Sequence, residues 1–227
     1  MTKPRTPTAQ IAAALAHFEV DLVLDVGANR GQYARGLRAA GYTGRIVSFE
    51  PIAGLQAELA RAAEADPSWT VAPPMALGAE PGLAWLEVSA ESDMSSLLPQ
   101  TELLAHVSPS SAVVGREPVR VEPLDRVAPP LLEDARRPYL KLDVQGFESQ
   151  VLDGASDLLG RLIGLQLELP LAPCYRGEAG WRSQLDRLEA AGFALWLVLP
   201  GYFERKLARH LQFDAVLMRA SAAPPSL

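Results

Sequence analysis

The first stretch able to do chemistry is Asp25-Val26-Gly27-Ala28-Asn29-Arg30-Gly31-Gln32-Tyr33, where a short apolar run passes through two glycines into a helical segment. Gly27 lets the backbone run close to a ligand with no Cβ in the way, and Gly31 permits a tight turn. The free N–H groups of an opening helix then favour an electron-rich group. A second run, Arg45-Ile46-Val47-Ser48-Phe49-Glu50, ends in an acid just before Pro51. A carboxylate there suits a ribose diol, because it accepts two hydrogen bonds and donates none. Taken singly, these are an ordinary strand-to-helix turn and a surface acid; taken together, they imply an adenosine cofactor.

A dinucleotide fingerprint needs Gly-x-Gly-x-x-Gly, and Asn29 and Gln32 stand where glycine would let a pyrophosphate approach. An NAD(P)-dependent oxidoreductase is the competing class, and it would have to use Tyr202 and Lys206, which have Tyr-x-x-x-Lys spacing. That pair falls in a terminal loop and not on a helix in mid-sheet order.

Strands and helices must alternate to place these residues. Thr6-Pro7 starts a helix through His17, Asp21–Val26 reads as a buried strand, Gln32–Ala40 as a helix stopped by Gly41, and Arg45–Glu50 as the next strand. A helix over Ala53–Ala65 and a weaker strand over Trp69–Ala72 follow. Leu83–Val88 alternates like a half-solvated antiparallel strand, Glu91–Ser111 reads as loop, and Val119–Val121 as a short strand. Tyr139–Val144 is a buried strand, a helix runs from Gly146 to Leu159, Leu165–Leu169 is a strand, and Trp181–Ala191 is a helix capped by Gly192. Phe193–Leu199 and Phe213–Arg219 suit an antiparallel pair at the sheet edge.

Asp25 followed by Gly-Ala-Asn-x-Gly is similar to the first motif of class I S-adenosylmethionine (SAM) methyltransferases. Further stretches resemble the FkbM family: Ser48-Phe49-Glu50-Pro51, Ala76-Leu77-Gly78, Ser95-Ser96-Leu97, Leu124-Asp125, Lys141-Leu142-Asp143-Val144-Gln145-Gly146-Phe147-Glu148 and Phe213-Asp214-Ala215-Val216-Leu217. They occur in the family's order over most of residues 20 to 219. The resemblance implies a SAM cofactor with Asp25, Gly27, Ala28, Asn29 and Gly31 at its amino-acid end and Glu50 at the ribose. It puts Met75, Ala76 and Leu77 at the adenine side, and Ser95 and Ser96 near the methyl group or in a lid. Gln145 departs from the family, which usually has Glu there, so a non-catalytic SAM-binding module is a further alternative.

Methyl transfer to a hydroxyl is an in-line displacement, and a sugar or alcohol hydroxyl does not ionise at neutral pH. The enzyme must align the acceptor and take its proton as the bond forms. Asp143 and Glu168, at the ends of neighbouring strands, are the expected catalytic pair: a general base with an orienting partner, or the ligands of one Mg²⁺ holding two acceptor oxygens. Helix capping or salt bridging is the structural reading of both. Lys141 shares a face with Asp143, and a salt bridge between them is expected. His106 and His210 are the alternative bases, both in loops, and Cys174 has no evident base partner.

Hydrophobic residues make up 48% of the 227 and charged residues 21%, a globular composition with enough apolar material for a core. The net charge of −6 argues against nucleic-acid partners, which call for a basic surface. Only three of the 21 cations are lysines, a weak hint of a GC-rich bacterial source. With no apolar run near 18 residues and one cysteine, a cytoplasmic protein without a transmembrane segment is expected. The expected fold is one α/β, Rossmann-like class I methyltransferase domain over residues 20–219. It has a mostly parallel seven-stranded sheet, helices on both faces and an antiparallel last strand, preceded by a helix in 1–19 and followed by a flexible tail in 220–227. The expected activity is SAM-dependent O-methylation of a small-molecule acceptor, a sugar or glycoside, or a polyketide-type alcohol.

Overall fold

The computed structural model describes residues 6–222. Helix α1 (Pro7–His17) starts where the Thr6 hydroxyl accepts the N–H of Ala9 at 3.2 Å, with Pro7 supplying a φ already suited to the first turn. The alternation then runs β1 (Leu22–Val26), α2 (Gln32–Ala39), β2 (Arg45–Phe49), α3 (Ala53–Ala63) and β3 (Trp69–Val71). Next come β4 (Ala76–Leu77), β5 (Gly82–Ser89), α4 (Glu102–Val107), β6 (Val113–Glu122) and α5 (Leu124–Val127). The chain continues through β7 (Pro138–Leu142), α6 (Glu148–Asp153), α7 (Ser156–Leu159), β8 (Gly164–Pro170) and α8 (Trp181–Ala190). It closes with β9 (Phe193–Pro200), a two-residue hairpin of β10 (Phe203–Glu204) and β11 (Arg209–His210), and β12 (Gln212–Arg219).

Seven strands form one sheet in the order β3-β2-β1-β7-β8-β12-β9. All neighbours are parallel except β12, which runs antiparallel to both β8 and β9. The chain leaves β1 toward β2 on one side, and β7 continues toward β8 on the other. The carboxyl ends of β1 and β7 therefore flank the switch point where open α/β sheets take their ligands.

Every position of β1 is buried, which its near-continuous apolar composition requires of a strand covered on both faces. Leu22, Leu24 and Val26 point into a core shared with Leu140, Leu165 and Leu217, and Val23 points into one shared with Leu15 of α1, Phe18 just after it and Leu37 of α2. Each such leucine contributes about 1.5–3 kcal/mol by leaving water.

Several expectations need correction. Leu83–Val88 is antiparallel, as its alternation predicts, but it belongs to a separate three-stranded sheet of order β4-β6-β5. Its partner β6 is much longer than Val119–Val121. Pro118 is tolerated inside it because β4 pairs only with Val121 and Glu122, leaving the strand partnered on one side at the proline. The helix expected up to Leu159 is broken at Gly154, where a Cβ would lie 2.0 Å from the Gly78 carbonyl oxygen. Glu91–Ser111 contains α4, with the Thr101 hydroxyl accepting the N–H of Leu104 at its start. Of the expected tail, Ala220–Ala222 form a 3₁₀ turn and residues 223–227 lie outside the described part, as do residues 1–5 of the expected N-terminal segment.

Candidate active site

A cavity opens at the switch point. Among its lining residues are Gly27, Asn29, Glu50, Met75, Ala76, Leu77, Ser95, Ser96 and Asp143, so most of the expected cofactor residues meet in one place. Ile52, Leu86, Leu97 and Phe147 complete its apolar walls.

Glu50 sits at the end of β2 and is buried. Its carboxylate accepts the N–H of Asn29 and the N–H of Ile52, each at 2.8 Å, which joins the glycine turn to the second strand. Burial pushes its carboxyl up to about 6, and the Ile52 and Asn29 hydrogen bonds hold it from rising further. Asn29 has φ 49, a left-handed conformation that Asn tolerates better than most residues. Its side-chain amide donates to the Ser92 hydroxyl at 3.1 Å, so the turn also holds the segment over the cavity.

Gly31 makes the tight turn expected of it, with φ 77, and Gly27 does more than leave room for a ligand. A Cβ at Gly27 would lie 1.9 Å from the carbonyl oxygen of Asp143, so this glycine lets the ends of β1 and β7 meet. A Cβ at Gly31 would lie 2.6 Å from the Trp69 ring. Gly31 and Ala28 support the turn from behind and are not among the lining residues.

Asp25 is likewise behind the cavity. Its carboxylate is fully buried, 3.2 Å from Lys141 Nζ, and accepts the Ser48 hydroxyl at 3.1 Å. Lys141 Nζ also lies 3.5 Å from Asp143 and donates to the Gly27 carbonyl at 3.0 Å. The expected Lys141–Asp143 ion pair is present, but the closer partner is Asp25. Burial alone would lower the Lys141 pKa; Asp25 and Asp143 outweigh it and leave it raised.

Asp143 is the exposed member of the expected catalytic pair, with 42% of its side chain accessible. Between it and Glu168 lies the amide of Gln145, whose Nε2 donates to Asp143 Oδ1 at 2.8 Å and to Glu168 Oε2 at 3.2 Å. Gln212 Nε2 donates to the same Glu168 oxygen at 2.7 Å. Burial, then the carboxylates of Asp143 and Asp214, push the Glu168 carboxyl well above the usual range. The pair therefore divides into an exposed acid facing the cofactor cavity and a half-buried one set toward protonation. Mg²⁺ does not fit this donor set: the space between the carboxylates holds an N–H donor, and among the described residues no three His, Cys, Asp or Glu side chains are grouped to hold a metal ion.

Sequence reasoning missed Tyr175, a buried side chain whose hydroxyl lies 2.7 Å from Gln145 Oε1 and 3.1 Å from the Met94 carbonyl. Beyond it, Leu104 and Val107 of α4 meet Ala172, Cys174, Tyr175 and Leu211 in one apolar cluster, with Tyr202 at its margin. Tyr202 donates to Glu204 at 3.0 Å, and neither it nor Lys206 lines the cavity. His106 is exposed on α4, and His210 packs its ring on Phe203. Cys174 is buried with its thiol pushed up to about 12 by that burial, so it presents no thiolate near neutral pH.

Residues 25–195 match the family model described as the methyltransferase FkbM domain. Among solved structures, a putative SAM-dependent methyltransferase from Listeria monocytogenes is 10% identical with a TM-score of 0.51, the alignment covering 93% of this chain and 97% of that one. TehB from Haemophilus influenzae is 11% identical with a TM-score of 0.49, over 96% of this chain and 63% of that one. No curated protein matches the sequence. No helix among the described residues is long and apolar enough to cross a membrane. With the glycine turn, the acid after β2 and the sheet order all in place, the chain belongs to the FkbM family of SAM-dependent methyltransferases.

Proposed function

We propose that the protein transfers the methyl group of SAM to a hydroxyl of a small sugar or glycoside, with Asp143 as the general base. The observation that carries this reading is the placement of Asp143: it lies at the end of β7, is partly exposed, and lines the same cavity as Glu50 and the Gly27–Asn29 turn. Glu50 would hold the ribose, Met75, Ala76 and Leu77 the adenine side, and the Gly27 and Asn29 backbone the amino-acid end. Bound SAM supplies a methyl group on a sulfonium, which needs no further activation. What the acceptor needs from the protein is alignment and removal of its proton, and a partly exposed carboxylate beside the cavity can do the second.

Asp143 takes the hydroxyl proton as the new carbon–oxygen bond forms. Glu168, screened by two amides, stays behind it as a hydrogen-bonding partner. The groups around this point, Gln145, Glu168 and Gln212 with Asp143, are polar donors and acceptors that suit a polyhydroxylated acceptor better than a flat apolar one. The excess of acids in this cluster also disfavours an acceptor carrying phosphate or carboxylate. The test is incubation with SAM labelled at the methyl carbon and a panel of neutral glycosides, phosphorylated sugars and aryl alcohols. Methyl ethers formed on neutral glycosides support the reading; N-methyl or C-methyl products, or methylation confined to aryl alcohols, overturn it.

A further inference from the structure

Gln145 is held more firmly than a residue beside an open cavity needs to be. Its backbone is left-handed, with φ 53, a conformation that costs a non-glycine residue of this type about 1 kcal/mol or more. Two neighbours, Ser96 and Tyr175, maintain it. The Ser96 hydroxyl donates to its carbonyl at 2.7 Å, and the Tyr175 hydroxyl lies 2.7 Å from its Oε1. The Tyr175 side chain also backs the next residue, Gly146, where a Cβ would lie 2.9 Å from the Tyr175 Cβ and 3.1 Å from its ring.

This anchoring fixes which end of the amide faces the acids. Oε1 is occupied as the acceptor for Tyr175, so Nε2 is turned toward Asp143 and Glu168 and spends both of its hydrogens on them. Two carboxyl groups so close to a common point require a shared proton, a cation or a donor between them. Here the donor is part of the chain.

We propose that the Gln145 amide takes the place of a bridging cation between Asp143 and Glu168, making Gln145 the positioning residue of the pair and leaving it independent of metal ions. The consequence for catalysis rests on Asp143 being the base; the cross-link does not. Gln145 is neutral, so it orients the Asp143 carboxylate without the full charge compensation of a divalent ion. Changing it to a carboxylate would bring three acids to one point, and that point would then draw a cation.

The experiment measures Mn²⁺ binding by loss of the free-ion electron paramagnetic resonance signal in the wild type, Asp143→Asn, Gln145→Glu and Gln145→Glu with Asp143→Asn. SAM binding by calorimetry and circular dichroism are measured on each. The wild type is expected to sequester no Mn²⁺ at millimolar concentration. Q145E is expected to bind one equivalent at least tenfold more tightly, and the second substitution to abolish it. Wild-type Mn²⁺ binding that disappears in D143N overturns the proposal, as does a folded, SAM-binding Q145E no better at binding Mn²⁺ than the wild type. Gln145→Asp, a residue more at ease in left-handed backbone, carries the same comparison where Q145E does not fold. Loss of SAM binding in the wild type would strike the cofactor assignment instead, so the two failures are told apart.

Discussion

Lys141 Nζ donates to the carbonyl oxygen of Gly27 at 3.0 Å, so a buried cation on β7 holds the glycine turn that follows β1. The same ammonium neutralises Asp25, whose side chain is wholly inaccessible. Removing one member of a buried pair strands the other, at a cost of about 3–5 kcal/mol. Lys141→Met should lower unfolding free energy in urea by that amount, and adding Asp25→Asn should restore most of it. Equal losses in the single and double variants would show that the pair is not the cause.

Glu50 joins the cofactor cavity to the glycine turn through Asn29. Its truncation to Ala removes the proposed ribose acceptor and frees two buried N–H groups. Hydrogen bonds to charged groups contribute about 1.5–3 kcal/mol, so S-adenosylhomocysteine should bind roughly 10- to 150-fold more weakly. Calorimetric titration decides it; an affinity within threefold of the wild type would remove Glu50 from the ribose site.

The raised pKa of Glu50, about 6, gives two pH effects of opposite sense. Binding needs the ionised carboxylate, so S-adenosylhomocysteine affinity should fall about tenfold between pH 7 and pH 5, and Glu50→Gln should flatten that slope. Stability of the empty protein runs the other way. A carboxyl that holds its proton more tightly when folded favours the fold below its unfolded value, and that contribution is lost as pH rises through about 6. Glu50→Gln should therefore be more stable than the wild type at pH 8, by about 2 kcal/mol, with little difference at pH 4. Parallel stability profiles for the two proteins would refute this.

Gly27→Ala forces a methyl group toward the Asp143 carbonyl and a left-handed backbone onto alanine. Overpacking and strain together should cost at least about 2 kcal/mol and separate β1 from β7. The loss should appear in both urea midpoint and SAM affinity. Gly54→Ala, where nothing lies within 4 Å of the new Cβ, is the control and should leave both unchanged.

That Gly27, Asn29 and Glu50 would line one cavity was legible because each is near a strand end, and strand ends converge in this fold. The strands expected to end beside one another at Asp143 and Glu168 do pair in parallel, and the last two strands pair antiparallel as expected. What stayed hidden depends on contacts across the sequence. Nothing local to Asp25 says that Lys141 will cover it, or that Tyr175, 30 positions beyond Gln145, will set the orientation of its amide. Gly31 takes the tight turn expected of it, but Trp69 as its neighbour was hidden, because a glycine's sequence context does not say what a Cβ would strike. Helix α4 was missed because it is six residues long among serines and prolines, where an amphipathic pattern has no room to show.

The most direct test of the account is turnover and SAM affinity of Asp143→Asn on the best neutral glycoside acceptor. The substitution keeps the side chain's shape and removes its basicity. The account predicts that kcat falls about 10²- to 10⁴-fold while SAM affinity changes less than threefold. Turnover close to the wild type, with the same methyl ether as product, would contradict it.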